Sequence, residues 1–105
     1  MAIRVRERLA LRVLSSSLQT PYASLGRALR FLRDEAGMSQ DEVAYISDIG
    51  SSYISNLENG KVNPTFSTLK RLARALEVDC SKILTLEEIF ARGAELAKSE
   101  PLKSR

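Results

Sequence analysis

The sequence predicts an all-α protein: a five-helix domain with an N-terminal extension and an extra C-terminal helix. Two observations carry this. Apolar residues recur at helical spacing, with Leu25, Leu29, Leu32 and Ala36 at i, i+4, i+7, i+11 and Leu69, Leu72, Ala73 and Leu76 at i, i+3, i+4, i+7. Recognisable helix start and stop signals bracket these stretches. The 105 residues, 44% of them hydrophobic and only 6% aromatic, provide one domain and little more. The expected division is an extension and linker over 1–21, the domain over 22–85, and a C-terminal helix and tail over 86–105.

The N-terminal stretch reads two ways. Arg4, Arg8 and Arg12 make a basic stripe on a helix, yet Ile3, Val5, Leu9, Leu11 and Val13 also alternate with arginines as in a strand. Both readings stand. Ser15-Ser16-Ser17 and Thr20-Pro21 end the element, and proline disfavours helix at the residue before it.

A helix then runs from about Tyr22 to Ala36, with Gly37 as a left-handed stop. Ser39-Gln40-Asp41-Glu42 is a capping box flanked by Met38 and Val43, which suit a hydrophobic staple. That helix stops near Asp48. Gly50 or Ser51 opens a short helix that ends at Asn59-Gly60, and Ile54 and Leu57 face its core side. Thr65 caps the fourth helix, with Asn63 before Pro64 nearly as good a start. Asp79 caps a short fifth helix holding Ile83 and Leu84. A second capping box, Thr85 to Glu88, begins the last helix, which stops before Pro101. The tail 102–105 reads as frayed.

Composition removes several function classes. The chain has no histidine and a single cysteine, Cys80. No intramolecular disulfide can form, and a zinc site lacks ligands. No cofactor is expected. Without an imidazole base, a paired-acid pocket or a glycine-rich phosphate loop, an enzyme is not expected either. No 18-residue apolar run marks a membrane span, and a cytoplasmic, nucleoid-associated location is expected. The net charge is +3, which permits a nucleic-acid partner. Its distribution is uneven. Residues 37–60 contain Asp41, Glu42, Asp48 and Glu58 and no base, between two basic flanks.

Two short helices joined by a tight turn, the second polar on its outer side, make a helix-turn-helix. Residues 40–60 read QDEVAYISDIGSSYISNLENG. With Ser39-Gln40, Ala44, Tyr53-Ile54-Ser55 and Glu58-Asn59-Gly60 at their offsets, and with Leu32-Arg33, Gly37-Met38, Lys61-Val62-Asn63-Pro64, Leu69 and Leu72-Ala73 in the flanks, the chain resembles the lambda-repressor-like (XRE/Cro-type) helix-turn-helix family. The resemblance covers the segment from Leu25 to Leu84.

It implies sequence-specific binding of double-stranded DNA by a transcriptional regulator, a repressor acting as a homodimer on a palindromic operator. Ser51, Ser52 and Asn56 would read base edges in the major groove. Gln40, Asn59 and Lys61 would hold phosphates. Arg33 and Glu58 would form a structural ion pair. Ala44 would be small because the two helices cross beside it. The last helix, with Ile83, Leu86, Ile89 and Phe90, is the first candidate for a dimer surface, and the N-terminal element the second. The same fold serves antitoxins that repress their own operon, and modules that have lost DNA binding. A toxin protein or RNA polymerase is thus a further candidate partner.

Three departures from the family pattern bear on affinity. Asp48 stands at the usual turn glycine, a position asparagine and aspartate tolerate. Gly50 stands at a usual Ser or Thr cap, and Ser51 where many members carry a base. The recognition segment therefore supplies no lysine or arginine of its own.

Overall fold

The computed structural model describes residues 21–99, which form five helices: α1 Ala23–Glu35, α2 Gln40–Ser47, α3 Ser51–Glu58, α4 Phe66–Leu76 and α5 Cys80–Ser99. No strand occurs among the described residues. The N-terminal arginine stripe and the tail 102–105 lie outside them.

Each helix start follows from its local sequence. At α2 the Ser39 hydroxyl accepts from the Glu42 backbone N–H at 3.0 Å, and the Glu42 carboxylate accepts from the Ser39 N–H at 2.7 Å. This reciprocal pairing satisfies two N–H groups that the helix cannot bond itself. At α4 the Thr65 hydroxyl accepts from Thr68 N–H at 3.1 Å. Gly50 precedes α3 and has no side chain to cap with.

Helices α1 to α4 end alike. A residue with positive φ follows each: Gly37 at 70°, Asp48 at 60°, Gly60 at 73° and Glu77 at 58°. The next residue's N–H then reaches back over the last turn. Met38 bonds to the Arg33 carbonyl, Ile49 to Ala44, Lys61 to Asn56 and Val78 to Ala73, at 2.9–3.1 Å. These are Schellman endings. In three of them the residue after the left-handed one is apolar, and Met38, Ile49 and Val78 all pack against the core. Helix termination and core formation are therefore the same event at those junctions.

The core gathers Leu29 and Leu32 from α1, Val43 from α2, Ile54 and Leu57 from α3, Leu69, Leu72, Ala73, Ala75 and Leu76 from α4, and Ile83 from α5. α5 lies chiefly along α1. Ala36, placed on the α1 core stripe by its spacing, is instead the exposed cap residue, and the fully buried Ala28 and Gly26 complete the inner face.

The C-terminal region differs from the sequence expectation. The short fifth helix and the extra last helix are one continuous helix, α5, and Thr85 lies in its interior. The Thr85–Glu88 capping box does not form. The Lys82 N–H already bonds the Asp79 carbonyl at 2.9 Å, so a first turn exists upstream. Extending that helix adds one hydrogen bond per residue fixed, whereas stopping and renucleating repays the nucleation cost. Within α5, Ile83 is fully buried and Leu84 is 45% exposed.

Glu77 is an exposed L-residue in left-handed backbone, a conformation that costs about 1–2 kcal/mol outside glycine. Glu77→Gly should therefore raise stability by about 1 kcal/mol, seen as a Tm increase of about 4–8 °C in thermal unfolding followed by circular dichroism. An unchanged or lower Tm would mean that the glutamate is not strained there.

Candidate nucleic-acid interface

α2 and α3 are joined by the residues 48–50 and pack against each other. Asp48 makes the turn in left-handed backbone. Arg71 of α4 secures it: one guanidinium nitrogen donates to the Ser47 carbonyl at 3.0 Å and the Asp48 carbonyl at 2.7 Å, and lies 3.8 Å from the Asp48 carboxylate. A cation at the carbonyl end of α2 meets the negative end of its dipole. Inside the helix, Ser47 is buried and its hydroxyl donates to the Val43 carbonyl at 2.6 Å, so this polar core residue is satisfied. Ala44 is half-buried against the core, which leaves little room for a larger side chain.

α3 is divided by its packing. Ile54 is 2% and Leu57 1% exposed, which seats the helix on the core. Ser51, Ser52 and Asn56 point outward and are exposed. Their side chains make no hydrogen bond to any other described residue. Asn59 and Lys61 are exposed just beyond the helix end.

The far end of α3 is locked by a hydrogen-bond cluster. Arg33 Nε and one terminal guanidinium nitrogen donate to the two Glu58 carboxylate oxygens at 2.6 and 2.9 Å. The other terminal nitrogen donates to the Met38 carbonyl at 2.8 Å. Gln40 Nε2 donates to Glu58 Oε1 at 2.9 Å. The two charged side chains are nearly buried, 12% exposed for Arg33 and 5% for Glu58. Burial pushes the Glu58 carboxyl up, but the hydrogen bonds from Arg33 and Gln40, with the Arg33 charge, outweigh it and hold the group below the usual carboxylate range. The bond to Glu58 correspondingly raises the Arg33 guanidinium, against its own partial burial.

α1 meets this end of α3 at Gly26. A Cβ there would stand 2.5 Å from the Glu58 carbonyl oxygen and 2.6 Å from that of Leu57. Nearby, the Tyr22 N–H donates to the Gly60 carbonyl at 3.1 Å.

The structure therefore brings Gln40, Arg33 and Glu58 into one cluster, with Asn59 and Lys61 following it in sequence and Ser51, Ser52 and Asn56 on the outer side of α3. Gln40, expected only as a phosphate contact, holds Glu58 with one of its amide N–H groups. Gly26 and Arg71 were missed by sequence reasoning. A glycine inside a clear helical stripe is a usable signal of close backbone approach, whereas nothing local marks Arg71. Of the dimer-surface residues expected from the sequence, Ile83 is fully buried, Leu86 packs on the core, and Phe90 meets Phe31 edge-on with Arg27 over its ring. Ile89 alone of that set stays on the surface, 54% exposed. Among the described residues no group of three His, Cys, Asp or Glu could hold a metal, and no helix is long and apolar enough to cross a membrane.

Removing Arg33 strands a buried carboxylate. Arg33→Met should cost about 3 kcal/mol in urea unfolding at neutral pH, and Arg33→Met with Glu58→Met should regain most of it. A lowered carboxylate pKa contributes stability that is present above the unfolded value and lost as pH falls through the folded one. Without Arg33, burial pushes the stranded Glu58 carboxyl up, so the Arg33→Met penalty should begin to shrink as pH falls into the carboxylate range, where the variant's Glu58 takes up a proton, and shrink further until the wild-type Glu58 is protonated below that range. A penalty independent of pH would show that lost packing dominates.

Comparison with known proteins agrees with this geometry. A helix-turn-helix family model matches residues 29–83. The Competence pilus inhibition repressor of Acinetobacter baylyi is 39% identical over 74 residues, 70% of this chain and 67% of the repressor. The crystal structure of the clp gene regulator ClgR from Corynebacterium glutamicum superimposes with a TM-score of 0.65 at 27% identity, over 76% of this chain and 94% of ClgR. The restriction-modification controller protein C.Esp1396I, solved as a tetramer in complex with its natural 35 base-pair operator, gives a TM-score of 0.61 at 26% identity, over 66% of this chain and 91% of the controller. This chain belongs to the XRE-type helix-turn-helix family of transcriptional regulators.

Proposed function

We propose that the protein is a sequence-specific DNA-binding repressor that acts as a dimer on a palindromic operator. The observation that carries this reading is the division of α3: two apolar side chains hold it on the core, while Ser51, Ser52 and Asn56 stand exposed with their hydrogen-bonding groups unspent within the described chain. In a major groove, a serine hydroxyl donates or accepts at several base edges, and an asparagine amide can bind adenine bidentately. The similar controller protein is itself seen in complex with its operator, which supports a DNA-binding reading.

Phosphate contacts would set the register. Gln40 spends one amide N–H on Glu58 and has a second to offer, beside the N-terminal end of α2. Lys61 follows the Schellman ending of α3, whose bond from the Lys61 N–H to the Asn56 carbonyl fixes its backbone. Asn59 adjoins both. The protein then binds rather than catalyses, and works wherever the chromosome is, in the nucleoid of the cytoplasm. Two copies would place two α3 helices one helical turn apart, roughly 34 Å.

Asn56→Ala should cost about 1–3 kcal/mol on the site enriched from a random-sequence DNA pool, and far less on unselected DNA, by fluorescence anisotropy. Equal losses on both would remove Asn56 from base reading. Lys61→Ala should weaken binding to both DNAs alike and flatten the plot of log affinity against log salt by about one unit. An unaltered slope would take Lys61 out of the phosphate set.

A further inference from the structure

The outer side of α2 carries a surface that the described helices leave uncovered. Tyr45 is 88% and Ile46 57% exposed. Asp41 stands four residues before Tyr45, and Glu42 four before Ile46. Two acids therefore lie side by side on one turn and two large apolar residues side by side on the next. All four are exposed and point away from Val43 and Ser47, the buried residues of the helix. No lysine or arginine lies on α2 to balance the acids. A single exposed apolar side chain is ordinary, but an adjacent pair rimmed by charge marks a contact surface.

We propose that the chain's own N-terminal segment covers this surface, crossing α2 with Arg4 and Arg8 on Asp41 and Glu42 and with Val5 and Leu9 on Tyr45 and Ile46. Residues 1–20, outside the described residues, carry four arginines against one acid. On a helix, Arg4 and Arg8 form one row and Val5 and Leu9 the row beside it. That is the pattern of α2 with the charge reversed, and a helix laid across α2 sets one row over each turn. A strand would turn the arginines and the apolar residues to opposite sides and could not make both contacts. The attachment point is near. The Tyr22 N–H donates to the Gly60 carbonyl, and Glu58, two residues earlier, accepts from Gln40, the first residue of α2. The chain between Leu9 and Tyr22 reaches about 40 Å when extended, ample beside a helix about 12 Å long. Tethering holds the segment at an effective concentration of about a millimolar, which favours it over the same segment of another chain.

Asp41 adjoins Gln40, so the docked arginines also remove a negative charge beside a phosphate contact. Only that consequence rests on the function proposed above. The docking is tested without DNA, so the two fail separately. Trypsin cuts after Arg4 and Arg8 only when the segment is undocked, and the cutting rate follows the undocked fraction. In the full chain those bonds should be cut about tenfold more slowly than in a free peptide of residues 1–20, at every protein concentration. Tyr45→Ser with Ile46→Ser should abolish this protection, and Asp41→Arg should reduce it. Both should leave the melting of the domain almost unchanged, because these side chains are exposed. A second readout needs no variant: nuclear Overhauser contacts should join the Tyr45 ring to the Leu9 methyls in the wild-type chain. Cutting at the free-peptide rate overturns the proposal, as does protection that survives the α2 variants. Protection that fades on dilution overturns it too, since the segment would then come from another chain. So does the absence of Tyr45–Leu9 contacts.

Discussion

The arrangement of the helix-turn-helix depends on a single buried carboxylate. Glu58 sits at the last turn of α3 and accepts from Arg33 of α1 and Gln40 of α2. Arg33 also donates to the Met38 carbonyl in the turn between α1 and α2. Three helices thus converge on two oxygens. Pairs of this kind add little net stability over well-packed apolar residues, but they penalise any arrangement that leaves one charge alone. Hydrophobic burial of Ile54 and Leu57 is non-directional and would tolerate small rotations of α3. The planar fork of Arg33 does not. The contact at Gly26 adds a steric limit at the same place, because α1 can approach the α3 carbonyls only where there is no side chain.

The same geometry resolves the acidic stretch between residues 37 and 60. A charge count makes it repel DNA, yet its four acids do different work. Glu58 is neutralised inside the cluster. Glu42 closes the capping box and, like Asp41, lies in the first turn of α2, where the helix dipole offsets negative charge. Asp48 has the Arg71 guanidinium across the turn, although its side chain is fully exposed and that attraction is weak. With no base on α3 itself, the electrostatic share of DNA affinity has to come from neighbouring elements.

Much of the fold was legible because its information is local. Ser39 with Glu42, Thr65, Gly37 and Gly60 act within one turn of the chain, and they occupy the positions their types suggest. The recognition segment was legible for a related reason: burial of Ile54 and Leu57 follows from spacing, and exposure of Ser51, Ser52 and Asn56 follows from theirs. What escaped depends on contacts distant in sequence. Arg71 reaches back 24 residues to Ser47, and Gln40 forward 18 to Glu58. The misplaced break at Thr85 shows the opposite limit. A locally valid start signal is overridden when the preceding turn is already helical.

An eight-residue helix such as α3 is not stable alone. Everything that holds it in place, Ile54, Leu57, Glu58 and the turn at Asp48, lies on its inner side or at its ends. The outward side chains make no hydrogen bond within the described chain, so the core does not depend on them. Substitutions at Ser51, Ser52 and Asn56 can therefore change what the outer side of α3 offers while leaving the angle at which α3 is presented unchanged. Presentation is set by the cluster around Glu58, and what is presented by the opposite face. On the proposed reading, that separation lets one rigid scaffold carry many operator preferences and ties the precision of base reading to residues on the inner side of the helix.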